Sequence, residues 1–316
     1  MILKAFMKTA PVMLLTLVVV GTPATASIDQ GLLNLVMPDA KVLSGIQVDQ
    51  AVVSPLAQYV LNQMQPNDPG FLKFISETGF DPRYNLTQVL AATSAAGNSG
   101  LVLGRGNFQI SQLEAAAKAH GGTVTSYKGV DIITSPNQNS TGAVAFLDGS
   151  TAAIGDLASV QGAIDRRGSS KPSADAGLIQ KANDASNANQ AWFATTTPLS
   201  DFLNGKTANA NLNNLSQNNL FQSILQSSGG MNFSSGGVVI SGDAVTASAQ
   251  NAQALVDVLK FLVSMVPVNN QQLKSLADAA TFGVNGTTAH ISLTLSEQQA
   301  EQLITSPPKK TAAMRN

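Results

Sequence analysis

Few residues of this 316-residue chain could do chemistry, because it contains only two histidines, His120 and His290, and no cysteine. A thiol nucleophile and any cysteine-ligated metal or iron–sulfur cluster are therefore excluded. Zinc needs three or four protein ligands, and the sequence has neither an H-x-x-x-H motif nor a carboxylate–histidine cluster. A Ser-His-Asp arrangement that uses His290 stays open, although no G-x-S-x-G motif supports it.

Each histidine also has a simpler structural interpretation. His120 falls in the last turn of a predicted helix, where a cation interacts favourably with the helix dipole. His290 falls on the polar side of a predicted strand, together with Thr288 and Ser292. We therefore expect no catalytic residue, no cofactor-binding residue and no metal ligand, and so no enzyme.

Two short motifs invite a ligand. Gly104-Arg105-Gly106 follows a predicted strand and precedes a predicted helix, but the third glycine of a dinucleotide-binding motif is replaced by Gln109. Asp165-Arg166-Arg167 ends a predicted helix, where two arginines suit the helix dipole. An anion site at these arginines is the alternative.

The first 26 residues have the pattern of a cleaved export signal. Lys4 and Lys8 precede an apolar run, Val12 to Val20, and Ala24-Thr25-Ala26 fits a cleavage site. The alternative, a membrane anchor, needs about 20 apolar residues, and this run is about half as long. We expect a periplasmic or extracellular protein without a lipid anchor, since no cysteine follows the cleavage site.

The composition of the chain argues against nucleic-acid partners. Charged residues make up 12% of it, where about 25% is typical. With Lys4 and Lys8 removed, 16 basic residues remain against 19 acidic ones, a net charge of −3. This balance provides no electrostatic footprint for nucleic acid. We expect no integral membrane segment in the mature chain and no disulfide.

Short alternating segments separated by turn residues predict an α+β fold with hairpin-built antiparallel sheets and helices on one face. The predicted organisation is a signal (1–26), a first unit (27–168), a linker (169–189), a second unit (190–305) and a disordered tail (306–316).

Two pairs of similar segments suggest that the units are related by duplication. The segment Gly142 to Gly168 resembles Ala280 to Ile304 in its strand–turn–strand–helix pattern, and a helix start at Ser54-Pro55 resembles Thr197-Pro198. From Pro55 to Pro198 the offset is 143 positions, and from Gly149 to Gly286 it is 137. Similar offsets are expected of a repeated unit with small changes in its loops.

Local signals also predict individual elements. They are N-caps at Ser54, Ser111 and Ser296, a type I′ turn at Asp148-Gly149, a helix beginning in Leu220 to Leu225, hairpin turns at Lys128-Gly129 and Gly242-Asp243, and a helix from Asn251 to Val266 that is buried on most sides.

Four short motifs stand out in the first half: Tyr127 to Ile132, Ala143 to Asp148, Gly155-Asp156 and Ala163 to Arg166. In these motifs, and most clearly over residues 38 to 168, the chain resembles a family of exported bacterial proteins of unknown function. It implies a bacterial source and an α+β fold. It implies no activity, cofactor or site residue.

The sequence therefore favours a non-catalytic binding protein of the bacterial envelope, whose partner is another envelope protein, a surface polymer or a small ligand held between the halves. The first alternative is a carrier of an apolar ligand in a cavity between or within the halves, suggested by the helix from Asn251 to Val266 and by Phe202. The second is a hydrolase that uses His290 with Ser or Asp.

Overall fold

The computed structural model describes residues 27–63, 69–94, 99–135, 142–198, 222–266 and 271–305. Within these residues the chain forms one sheet of 12 strands, all pairs antiparallel, and 11 helices. The strands are β1 (Ala40–Gln47), β2 (Leu86–Ser94), β3 (Gly100–Gly106), β4 (Thr123–Tyr127), β5 (Val130–Thr134), β6 (Gly142–Asp148), β7 (Thr151–Asp156), β8 (Ala191–Thr195), β9 (Ile224–Ser234), β10 (Gly237–Thr246), β11 (Ala280–Asn285) and β12 (Thr288–Leu295).

The helices connect these strands and lie on both faces of the sheet. They are α1 (Gln30–Leu35), α2 (Val48–Ala51), α3 (Pro55–Gln63), α4 (Pro69–Thr78), α5 (Pro82–Asn85), α6 (Ile110–Ala119), α7 (Leu157–Asp165), α8 (Ala176–Ala188), α9 (Ala249–Ser264), α10 (Gln271–Ala279) and α11 (Glu297–Thr305).

The strand order across the sheet is β11-β12-β10-β9-β8-β1-β2-β3-β7-β6-β5-β4. Strands β1 and β8 pair over five residues, Val42–Ile46 with Ala191–Thr195, and this seam joins the two halves of the chain. Outward from the seam, the order β1, β2, β3, β7, β6 on one side matches β8, β9, β10, β12, β11 on the other. The two hairpins of similar sequence, β6–β7 and β11–β12, therefore occupy equivalent places in the strand order.

One face of the sheet, which we call the core face, carries the main hydrophobic core. Leu43, Leu90, Leu101 and Leu103 are completely buried there. Helices α1, α7 and α8 supply the facing side chains, which include Leu32, Leu33, Val160 and Leu178. Because successive strand residues point to opposite faces, the residues between these leucines form the second face.

The second face, which we call the pocket face, is covered by other helices. Over the first half, α4 and α6 lie above β2, β3, β7, β6 and β5. Over the second half, Ala252, Leu255 and Val256 of α9 pack on it with Ala289. A third cluster joins Leu56 of α3 and Ala300 of α11 to Val238 and Leu295.

This arrangement confirms a mixed α+β class but corrects its details. The prediction of one sheet in each unit was wrong, because β1 and β8 join all 12 strands into a continuous sheet. The prediction that helices pack on one face only was also wrong, because helices cover both faces of the sheet. Residues 169–189 were predicted as a linker, yet they contain α8, whose Leu178 and Ala182 are fully buried in the main core.

Two of the three predicted caps occur as expected, whereas the third cap and the type I′ turn do not. Ser54 accepts a hydrogen bond from the Ala57 amide at 3.2 Å, and Ser296 exchanges bonds with Gln299. Helix α6 begins earlier than the predicted Ser111 cap and has Gln109 as its N-cap. At Asp148-Gly149 neither residue has positive φ, so the type I′ prediction was wrong.

The β9–β10 region was predicted incorrectly in part. Residues 220 and 221 of the predicted helix start lie outside the described residues and Gln222 is helical, but Ile224 and Leu225 already belong to β9. Gly242-Asp243 form no turn and lie inside the continuous strand β10. A Cβ at Gly229 would lie 2.4 Å from the Ser241 carbonyl oxygen, so close contact between strands accounts for a glycine here.

Helix α9 is partly exposed rather than buried on most sides. Its buried residues are Ala252, Leu255 and Val256, whereas Phe261 is 61% exposed. The predicted signal, the helix start after Pro198 with Phe202, the Asn-rich segment and the tail after residue 305 lie outside the described residues.

Candidate functional site

The candidate site is a cavity of about 550 Å³ between the pocket face and helices α4 and α6, which we call the ligand pocket. Pockets that bind small molecules measure about 300–1,000 Å³. Its floor is apolar and comes from alternate residues of five strands. The floor residues are Leu86, Val89, Val102, Gly104, Ile133, Val144, Phe146, Ala152 and Ile154.

The two faces of the same strands differ sharply in how well they are covered. On β3, Leu101 and Leu103 of the core face are fully buried, whereas Val102, between them, is 38% exposed. On β7, Ala153 is fully buried and its neighbour Ile154 is 47% exposed. The exposed side chains are large and aliphatic, and they lie beneath two helices. The roof therefore leaves apolar surface in contact with solvent.

The roof helices show the same incomplete packing from their own side. Helix α6 has no buried residue, although Leu113, Ala116 and Ala117 face the cavity at helical spacing. Thr78 is the only buried residue of α4, and Phe74, which also lines the cavity, is 41% exposed. An apolar cavity loses contacts that a close-packed interior would have. A bound apolar molecule would restore them.

Four phenylalanines form a connected cluster along the pocket. The ring of Phe80 stacks on Phe108 with centroids 5.4 Å apart, and Phe108 contacts Phe146 at 5.3 Å. Phe74 meets Phe80 edge to face at 6.4 Å. The cluster links the roof helix α4 to strand β6 and gives the pocket an aromatic wall.

Charged side chains are confined to the roof. His120 Nε2 lies 2.8 Å from Glu77 Oε2, which connects the end of α6 to α4, and Lys73 Nζ lies 3.7 Å from Glu77 Oε1. The hydrogen bond with His120, supported by the charge of Lys73, holds the pKa of Glu77 below its ordinary value. All three side chains are at least 36% exposed, so they lie at the entrance and not in the apolar interior.

The two histidines considered as candidates lie in separate places. His120 lies at the C-cap of α6, at the predicted end of the helix, and it also lines the ligand pocket. His290 lies on β12 opposite Asp243, with its Nδ1 2.5 Å from Asp243 Oδ1. Among the described residues, no serine hydroxyl is hydrogen-bonded to this histidine, so a nucleophile for the hydrolase alternative has not been located.

The ligand pocket lies away from the two places that the sequence indicated most directly, the contact between the halves and the helix from Asn251 to Val266. A cavity within one half was the other position that the apolar-carrier alternative allowed. The observed pocket is formed by residues 70–154 alone, within the first half. One sequence signal could have identified it. Strands β3 and β6 carry apolar residues on both faces, as in Leu101-Val102-Leu103, and a strand of this kind needs cover on both sides.

In the described part of the chain, no group of three or more His, Asp or Glu side chains is placed to hold a metal ion. None of the described helices combines the length and the apolar content that a bilayer span requires.

Comparison with known proteins gives a similarity of fold. The sequence matches no protein-family model and no curated protein. Crystal form III of TP0453 is similar over 89% of this chain and 99% of that chain, with a TM-score of 0.53 and 13% identity. Crystal forms I and IV of TP0453 have TM-scores of 0.49 and 0.47, with 13% and 12% identity over 88% and 87% of this chain and 97% and 96% of those chains. At this level of identity the likeness to form III concerns the fold alone.

Proposed function

We propose that this protein binds a small apolar molecule in the ligand pocket and does so without catalysis. The proposal rests on one observation: Val102 and Ile154 stay 38% and 47% exposed although two helices cover this face of β3 and β7. On the opposite face of the same strands, Leu101, Leu103 and Ala153 are completely buried. Covering the exposed part of each side chain would contribute on the order of 1 kcal/mol. The molecule would be apolar over most of its surface because the floor of the pocket is apolar.

A direct test uses a neutral fluorescent apolar probe, N-phenyl-1-naphthylamine, with two matched variants of α6. Ala116 lines the pocket, whereas its neighbour Ala115 is exposed and faces away. We expect saturable binding to the native protein and at least a tenfold loss of affinity in Ala116→Trp, because the indole ring occupies the cavity. Ala115→Trp should bind as the native protein does.

The outcome that contradicts the proposal is equally specific. Absence of saturable probe binding to the native protein would exclude it. So would an equal loss of affinity in both variants, because helix perturbation rather than occupation of the pocket would then explain the effect.

We also propose that the protein acts outside the cytoplasm, in the envelope of a bacterium. The support is the pattern of Lys4, Lys8 and Ala24-Thr25-Ala26, together with the resemblance over residues 38 to 168. Sequencing the N-terminus of protein recovered from a periplasmic extract should give Ser27 or a close neighbour. An N-terminus at Met1 would count against export by a cleaved signal.

A duplication of one ancestral unit is the origin that we infer for the two halves. Its support is the matching strand order on the two sides of the β1–β8 seam and the equivalent positions of the two hairpins. If it is right, β1, β2, β3, β7 and β6 should superpose on β8, β9, β10, β12 and β11 as one rigid group. Superposition that needs separate rotations of individual strands would argue against it.

A further inference from the structure

A second cavity, of about 240 Å³, lies on the core-face side of the sheet between α1, the end of α7 and the β6–β7 turn. Three arginines line it: Arg105 from β3, and Arg166 and Arg167 from the end of α7. We call it the arginine pocket. It lies on the opposite face from the ligand pocket, because Arg105 follows Leu101 and Leu103 in the alternation along β3.

Arg105 is held in place by an acidic partner. Its Nε and Nη2 donate to Asp29 at 3.0 and 2.6 Å, and its Nη1 donates to the hydroxyl of Thr151. A Cβ at Gly31 would lie 2.8 Å from Arg105 Nη2, so the backbone of α1 closely approaches this ion pair. The charge of Arg105 is therefore compensated, and its role is to build one wall of the pocket.

The other two arginines have no such compensation. Among the described residues, no carboxylate oxygen lies within 4.0 Å of the guanidinium of Arg166 or Arg167. Arg166 donates from Nε and Nη2 to one carbonyl oxygen, that of Leu35, at 3.0 and 2.9 Å. Arg167 makes one long bond, 3.4 Å, to the carbonyl oxygen of Leu147.

Burial makes this lack of compensation significant. The partial burial of Arg166 lowers its pKa from the ordinary value, against the more distant charges of Asp165 and Asp39. The end of a helix favours positive charge, which explains why basic residues are tolerated here. It does not explain why two of them border a cavity with most of their donors making no hydrogen bond to the described residues.

We propose that the arginine pocket binds a small phosphate-type oxyanion, held by the guanidinium groups of Arg166 and Arg167. The planar donor fork of arginine matches the spacing of phosphate oxygens and forms charge-assisted hydrogen bonds with them. The cavity has the volume of about eight water molecules at about 30 Å³ each, which accommodates phosphate or a small phosphate monoester. Asn34, whose amide already donates to the Ser169 carbonyl oxygen, lines the same cavity.

One acidic residue faces the site and provides an internal control. Asp148 lines the pocket, and its Oδ1 accepts hydrogen bonds from the amide and the hydroxyl of Ser150 at 2.8 and 2.7 Å. Its negative charge opposes a bound anion, while its role in the turn needs only an acceptor oxygen. The substitution Asp148→Asn removes the charge and retains that oxygen.

Isothermal titration calorimetry of the full chain with inorganic phosphate, at constant ionic strength in chloride, tests the proposal. We expect saturable binding that weakens at least tenfold in Arg167→Gln and strengthens several-fold in Asp148→Asn. Lys118→Gln makes the same change of net charge as Arg167→Gln, at an exposed residue of α6 on the other side of the sheet. It should leave the phosphate affinity unchanged.

Arg167→Gln and Asp148→Asn change the charge beside the same cavity and should shift the phosphate affinity in opposite directions. A folding defect would lower the affinity in both variants, so the pair separates anion binding from misfolding. Tighter binding of glycerol phosphate than of inorganic phosphate would identify a monoester as the ligand, and the reverse would identify the free anion. Both results support the site. No saturable binding, an equal loss in Lys118→Gln, or equally tight binding of acetate would overturn it.

Discussion

At the scale of single residues, Asp29 has two separable roles. Its Oδ1 accepts the Leu32 amide at 3.0 Å as the N-cap of α1, and both of its oxygens bind Arg105. Burial raises the pKa of Asp29, but the hydrogen bonds and the charge of Arg105 outweigh burial, so its pKa is lowered from the ordinary value. A lowered pKa means that the ionised form stabilises the folded protein.

The two roles predict different consequences for two substitutions. Asn is a good N-cap and Ala is not, so Asp29→Ala should be less stable than Asp29→Asn by about 1 kcal/mol. Because the folded-state pKa is lowered, the native advantage over Asp29→Asn should be present above the unfolded-state pKa and should disappear as the pH falls through the folded-state value. Urea unfolding at pH 7 and at successively lower pH measures both differences.

Asp49, an exposed residue whose carboxylate accepts the neighbouring Gln50 amide, is the matched control. Asp49→Asn should show little change in stability at either pH. If the difference in free energy of unfolding between the native protein and Asp29→Asn stayed constant down to strong acid, the ion pair with Arg105 would contribute nothing to stability.

Residue-scale features were predictable where the interacting groups are close in sequence. The caps at Ser54 and Ser296 involve partners three residues away, so the sequence displays both groups. Arg105 and Asp29 are 76 positions apart, and only the fold brings them together. The arginine pocket was hidden for the same reason, because Arg105 is also far in sequence from Arg166 and Arg167. The motif Asp165-Arg166-Arg167 alone indicated an anion site only as an alternative.

At the scale of elements, the seam between β1 and β8 depends on a glycine. A Cβ at Gly45 would lie 2.7 Å from Cζ2 of Trp192 and 2.9 Å from the carbonyl oxygen of Val89. The indole is 5% exposed and packs in the main core. The absence of a side chain at Gly45 therefore lets the tryptophan lie across the seam.

Gly45→Ala should destabilise the protein by about 1–3 kcal/mol, the usual cost of overpacking. The backbone oxygen of Val89 cannot turn away as a flexible side chain would. Gly283 on β11 is the control, because a Cβ there meets nothing within 4 Å and its φ is not positive. Gly283→Ala should change the free energy of unfolding by less than about 0.5 kcal/mol. Equal effects in urea unfolding would contradict this account of the seam.

Turn predictions succeeded where the turn residues lie between two paired strands, and they failed where such residues lie within one strand. Lys128 and Gly129 both have positive φ and close the β4–β5 hairpin as expected. Gly242-Asp243 resembles a turn by composition, yet β10 continues through it because Gly229 on β9 and Gly242 lie opposite each other at close range. The residue types show where a turn could form, and the pairing of the strands determines where it does form.

At the scale of the whole molecule, the continuous sheet predicts that the two halves unfold together. The β1–β8 pair joins them through the backbone, and α8 packs against β1, β8 and β9. The single tryptophan of the chain, Trp192, lies at this seam, so its fluorescence reports on the junction. Far-UV circular dichroism reports on all strands and helices. The two signals should give superimposable urea curves.

Ligand binding sharpens this prediction, because the ligand pocket lies only in the first half. A molecule that binds the folded state alone stabilises it by about 2.7 kcal/mol at 100 times its Kd. With N-phenyl-1-naphthylamine at that concentration, both the tryptophan and the dichroism curves should move to higher urea by the same amount. If the halves were independent, the ligand would shift only part of the dichroism change and leave a second transition in place. The sheet order, which passes from β8 directly to β1, favours the common shift.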